Sequence, residues 1–131
     1  MNRTIASLAL LVADYDEAIA FYVGKLGFSL FDDVSLGDGK RWVRVGPAEG
    51  GTALLLAQAD GPQQAAHIGD QTGGRVFLFL QTDDFARDHA LFLSRGVRFL
   101  EEPRFEAYGT VAVFEDLYGN RWDLIEPKRA G

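Results

Sequence analysis

Cysteine is absent from the 131 residues, and methionine occurs once. Without a thiol there is no disulfide, no Cys-ligated zinc or iron–sulfur cluster and no thiolate nucleophile. Histidine is nearly as scarce, at two, so each imidazole can be weighed in turn. Basic residues are few as well. The 13 Lys and Arg stand against 19 Asp and Glu, a net charge of −6, which is the wrong sign for neutralising a phosphate backbone. A nucleic-acid partner is therefore not expected. Long apolar runs are also missing: Ile5 to Ala13, closed by Asp14, falls short of the about 20 residues that a membrane span requires. It also lacks a small-residue cleavage site of the kind that ends a signal peptide. The expectation is a cytoplasmic protein with no membrane partner.

What the chain does contain is oily. Apolar residues make up 47%, with ten Phe, four Tyr and two Trp, against 24% charged residues. That is enough for a packed core and argues against disorder. The length suits one domain, read here as spanning 1–131.

Slid along itself by about half its length, the chain matches its own grammar. Tyr15, Ile19 and Tyr22 fall on Phe85, His89 and Phe92, each set spaced as one apolar stripe of a helix. An apolar run precedes each stripe, Ser7 to Val12 or Val76 to Leu80, and ends in acids, Asp14 or Asp83 and Asp84. Asp14 with Glu17 has capping-box spacing, and Gly27 and Gly96 stand where a left-handed residue would close each helix. Three strand-like segments follow each glycine. They are Phe28 to Phe31, Arg41 to Val45 and Thr52 to Leu56 in the first half, and Val97 to Leu100, Thr110 to Phe114 and Arg121 to Ile125 in the second. Turn residues separate them, among them Gly37-Asp38-Gly39 and Gly119-Asn120. Two modules are expected, at about 1–58 and 75–131, each strand, helix and three strands. Residues 59–74, polar and Gly-rich with Pro62 and His67, read as the linker. A half of about 60 residues buries too little surface to be comfortable alone, so the modules should share a core or pair in a dimer.

Two stretches carry a resemblance. The first is Val12-Ala13-Asp14 with Ala18, Phe21-Tyr22 and Leu26-Gly27-Phe28; the second runs from Phe114 through Asp116, Tyr118 and Gly119 to Trp122. Together they resemble the vicinal oxygen chelate superfamily of glyoxalase I, extradiol dioxygenases and bleomycin-resistance proteins. The resemblance implies an α+β fold in which two βαβββ modules form a curved mixed sheet around a cup, commonly as a homodimer. In metal-dependent members His and Glu or Gln from strands of both modules hold a divalent ion there. Carried over by resemblance, those positions fall here on Ser7, Leu55, Phe77 and Asp123. Leu and Phe offer no lone pair, a Ser hydroxyl is a weak ligand, and one carboxylate cannot hold a catalytic metal tightly. The expectation is no metal and no cofactor.

Neither histidine falls on a ligand strand. His89 sits in the helical stripe and reads as structural, on the sheet face away from the cup. His67, in the linker, could fold over the cup's mouth. On the last strand Arg121 and Asp123 share one face, either as an ion pair or as polar anchors for a ligand. On the strand 41–45, either Trp42 with Arg44 or Arg41 with Val43 faces inward. Tyr108, beside Gly109, is a candidate for stacking at the rim, and Phe105 is a weaker one. Glu101-Glu102 and Asp32-Asp33 read as solvated turn charges. The serines lack any nucleophile elbow.

The reading that follows is a metal-free cup binding a small organic molecule, in a resistance or sequestration role, with Ser7, Trp42, Leu55, Phe77, Tyr108, Arg121 and Asp123 as the ligand-binding set. Two alternatives stay open. One is a divergent metal-dependent lyase or dioxygenase of the same superfamily, using Asp123 and His67. The other is a protein-interaction module whose cup is filled by its own side chains.

Overall fold

The computed structural model describes residues 2–129. Asp14 and Asp84 begin its two longer helices as expected from sequence: the Asp14 carboxylate accepts the Glu17 backbone N–H at 2.8 Å, and that of Asp84 accepts the Arg87 N–H at 3.1 Å. Each satisfies an N–H that the first helical turn leaves without a partner. Both helices end where the glycines were expected to end them. Gly27 and Gly96 adopt φ of 73° and 82°, and the next residues, Phe28 and Val97, donate back to the carbonyls of Tyr22 and Phe92, closing the last turn.

The chain divides between Ile68 and Gly69 into two compact units. The first contains β1 (Ser7–Val12), α1 (Tyr15–Gly24), β2 (Ser29–Gly37), β3 (Lys40–Gly46), β4 (Ala53–Gln58) and the short α2 (Gly61–Ala65). Its mixed sheet runs β1-β4-β3-β2, with β1 and β4 parallel and the other pairs antiparallel. Alternation sends Leu10 and Val12 of β1, Val43 and Val45 of β3 and Leu54 and Leu56 of β4 to the buried side under α1. There they meet Ala18, Phe21 and Tyr22. Tyr22 is fully buried, edge-on to Phe21 and stacked on Phe28.

The second unit contains β5 (Val76–Gln81), α3 (Phe85–Ser94), β6 (Arg98–Phe99), β7 (Arg104–Glu106), β8 (Gly109–Glu115) and β9 (Arg121–Pro127). Its five-stranded sheet runs β5-β9-β8-β6, with β7 also pairing β8. The α3 side is an aromatic row: Phe92 against Phe114, Phe114 stacked on Trp122, and His89 between Phe85 and Phe99 at 5.3 and 4.5 Å. His89 thus lies in the stripe that its spacing indicated.

Three expectations need correction. The strand at Val97 to Leu100 shrinks to Arg98–Phe99, and a further strand, β7, follows it. The break has a cause: the Glu101 carboxylate accepts the Val113 backbone N–H at 3.0 Å, a side chain standing where a ladder bond would be, and Pro103 follows with no N–H to donate. Second, Glu101, Asp32 and Asp33 are not merely solvated turn charges. Glu101 also pairs with Arg104, Asp32 with Arg44 and Asp33 with Arg41. Third, residues 59–74 hold more than a connector, since α2 lies within them.

The signature around Asp116 is explained by what that residue holds. It is buried, and its carboxylate accepts the backbone N–H groups of Tyr118 and Asn120, the Asn120 amide and the Trp122 indole N–H. One side chain therefore fixes the β8–β9 turn and anchors the core tryptophan. This is a demand of the fold and says nothing of an activity.

Candidate functional site

The structure settles which residues of β3 face which way. Arg41 lies on the α1 side, paired with Asp16 and Asp33 and 5.1 Å above the Tyr15 ring. Trp42 and Arg44 therefore occupy the opposite face, with Leu55 of β4 in register beside Arg44 and Ala9 of β1 beside Leu55. Ser7 shares that face at the start of β1.

Along this sheet the β3–β4 ladder is short. Val43, Arg44 and Val45 pair with Leu56, Leu55 and Leu54, whereas β1 and β4 pair over six residues. Where β3 and β4 part, the Tyr15 hydroxyl accepts the Arg41 backbone N–H at 3.2 Å. A recess of about 900 Å³ lies there. Leu36, Trp42 and the turn Gly37-Asp38-Gly39 line one wall; Leu55, Ala57, Gln58, Asp60 and Gln64 line the other. Trp42 is 42% exposed and Leu36 55%, so aromatic and aliphatic surface stands open to a ligand. The amides are partly committed: Gln64 accepts the Asp60 N–H and Gln58 donates to the Ala13 carbonyl. Of the residues singled out in the sequence, Trp42 and Leu55 meet at this recess. Ser7 shares the sheet face without lining it.

In the second unit, Asp123 of β9 faces away from α3, between Phe79 of β5 and Val113 of β8. It is only 8% exposed, and its Oδ1 is buried with no hydrogen-bond partner. Burial pushes its carboxyl above the usual carboxylate range; the Arg104 charge pulls it back and that of Glu101 pushes it up again. Tyr108 is 55% exposed at the β7–β8 turn and adds to the groups that raise the Arg104 pKa. Arg121 is exposed at the start of β9, opposite Glu115.

Phe77 takes a different place from the one its strand position suggested. A register irregularity between Val76 and Leu78 displaces it, and its ring meets the edge of Trp122. The position beside Asp123 belongs to Phe79, 66% exposed. His67 is exposed, just after α2.

Sequence reasoning passed over Tyr15, Leu36 and Gln64 at the recess, and Phe79 and Arg104 near Asp123. Only Tyr15 carried a signal, as the first residue of the helical stripe.

A metal would need a donor set that these strands do not supply. The positions carried over by resemblance read Ser, Leu, Phe and Asp, and among the described residues no three His, Asp or Glu side chains gather as a metal-holding group. The residues do not fit a catalytic divalent ion.

The family model of the Glyoxalase/Bleomycin resistance protein/Dioxygenase superfamily matches residues 4–124. The chain belongs to this superfamily. An uncharacterized protein of Shewanella frigidimarina is 54% identical over 128 residues, covering 96% of this chain and 95% of its own. Among solved structures, UcmS2 superposes with a TM-score of 0.82 at 31% identity, covering 95% of this chain and 98% of its own. TnmS3 of Streptomyces sp. CB03234, described as an antibiotic binding protein, gives 0.78 at 30% identity, with 98% of each chain covered. The superfamily accounts for the paired βαβββ grammar. Among the described residues no helix is long and apolar enough to cross a membrane.

Proposed function

We propose that the chain binds a small organic molecule without a metal, in a resistance or sequestration role. The observation that carries this is the recess between the parted ends of β3 and β4. Its volume of about 900 Å³ lies in the range of small-molecule sites, roughly 300 to 1,000 Å³, and its lining sets Leu36, Trp42 and Leu55 beside charged and amide side chains. Likeness to TnmS3, described as an antibiotic binding protein, supports the same class of ligand. The donor set supports the metal-free part of the reading. The protein is taken to be a cytoplasmic homodimer, because a module of this size gains from a partner that covers its sheet.

Native mass spectrometry of protein purified from its own host tests the binding role. The expected result is a co-purified compound of a few hundred daltons, lost in Trp42→Ala. Trp42 also offers a direct signal in titrations, since it is exposed while Trp122 is buried. A wild-type protein that carries no compound, and whose Trp42 emission responds to no member of a broad antibiotic panel, would overturn the proposal.

A further inference from the structure

Among the described residues, Asp123 Oδ1 is the buried side-chain atom left without a hydrogen-bond partner. An oxygen in that position is costly unless something supplies a donor. Arg104 does not supply it. Its guanidinium donates to Glu101 and Glu106, so one positive charge already serves two carboxylates. Immediately beside Asp123 the flanking strands are uncharged: β5 places Phe79 and Gln81 on this face and β8 places Val111 and Val113, while Glu115 and Arg121 face each other one step further along. Phe79, directly opposite Asp123, leaves most of its ring exposed.

We propose that Asp123 and Phe79 form a subsite for an organic cation, a protonated primary or secondary amine carried on an apolar body. The ammonium pairs with the Asp123 carboxylate and compensates its charge, which a neutral hydroxyl cannot do. The ring of Phe79 offers its face to the same cation, and the apolar body lies along Phe79 and Val113. The proposal rests on the small-molecule reading above but not on the recess of the first unit, whose lining includes neither residue.

The test compares phenethylamine with 2-phenylethanol, which share an apolar body and differ in charge. Each is titrated into the full-length protein at pH 7, and the amide resonances of β5 and β9 are followed by NMR. The amine is expected to bind at least tenfold more tightly than the alcohol, and Asp123→Asn, nearly the same shape without the charge, should abolish that preference. In the wild-type protein the Asp123 carboxyl carbon should titrate at lower pH when the amine is present, a shift that a purely structural carboxylate would not show. Equal binding of amine and alcohol, or a preference that survives in Asp123→Asn, overturns the cation subsite and leaves the small-molecule reading standing. No response to either compound also overturns it, and a co-purified compound found by mass spectrometry would then show that the broader reading had not failed with it.

Discussion

The hydroxyl of Tyr15 accepts the backbone N–H of Arg41 while the Arg41 guanidinium lies over the Tyr15 ring. A helix side chain thus replaces a sheet bond at the point where β3 leaves β4, and the recess exists because the strands are held apart there. Tyr15→Phe keeps the ring and removes the acceptor. It should cost about 1 kcal/mol, the usual net value of one such bond, and speed hydrogen exchange at the Arg41 amide above that of Val43. Unchanged exchange at Arg41 would mean that the hydroxyl does not hold this amide.

Asp123 should make the protein less stable as pH rises. Its folded pKa lies above the ordinary Asp value of 3.8, so the folded state binds more protons between that value and the raised one. Its contribution to stability is present below 3.8 and is lost as pH rises through the folded pKa. Asp123→Asn should therefore raise the melting temperature at pH 7, with a gain that shrinks toward pH 4. A lower melting temperature at pH 7 would contradict this.

Asp33 and Asp88 run the other way. Hydrogen bonding to Arg41 lowers the pKa of Asp33; for Asp88, burial opposes the shift, but bonds from Arg87 and Thr82 outweigh it. Their contribution is present above the ordinary carboxylate pKa and is lost as pH falls through the depressed one. Asp88→Asn should remove part of the loss of stability at acid pH while leaving the fall in stability above the ordinary carboxylate pKa to Asp123. Melting curves between pH 2 and pH 7 separate the two.

Neighbouring acids should differ sharply. Glu101→Ala leaves the Val113 N–H without its acceptor and takes one of two carboxylate partners from Arg104, and should cost roughly 1–3 kcal/mol. Glu102 is exposed, and Glu102→Ala should stay within about 0.5 kcal/mol. Urea midpoints of the two variants decide the matter, and equal midpoints would remove Glu101 from the role given to it.

Gly109 stands at φ 152°, and a Cβ added there would collide with the Glu126 carbonyl oxygen. Gly109→Ala should cost at least about 2 kcal/mol by forcing β8 and β9 apart. Gly24, where an added Cβ meets nothing within 4 Å, is the control: Gly24→Ala should be neutral or mildly stabilising.

The repeat, the helix stripes and the caps were legible because each rests on local spacing: Asp14 caps through its neighbour's amide and Gly27 ends its own helix. The broken strand at Leu100 to Pro103 was not, because it depends on Glu101 reaching a strand distant in sequence. The inward face of 41–45 was undecidable for a similar reason. Both alternations carry one Arg and one apolar residue, and acids on α1 and β2 select between them. Phe77 and Phe79 exchange roles through a register irregularity that period-two counting does not contain. At the site, Trp42 and Leu55 could be singled out by strand position, whereas Leu36 and Gln64 arrive from a turn and a short helix whose spacing gives no hint of a shared wall.

Within each unit the first strand is completed by the last: β1 lies parallel to β4, and β5 to β9. Neither central strand can find both neighbours until its whole unit is available. During synthesis the Leu10 and Val12 side chains, which end fully buried, wait for Leu54 and Leu56 to emerge. Contacts so distant in sequence carry a loop-closure cost before they contribute any stability. The interval before β4 arrives is when this chain is most exposed to proteases and to mispairing with a second nascent copy.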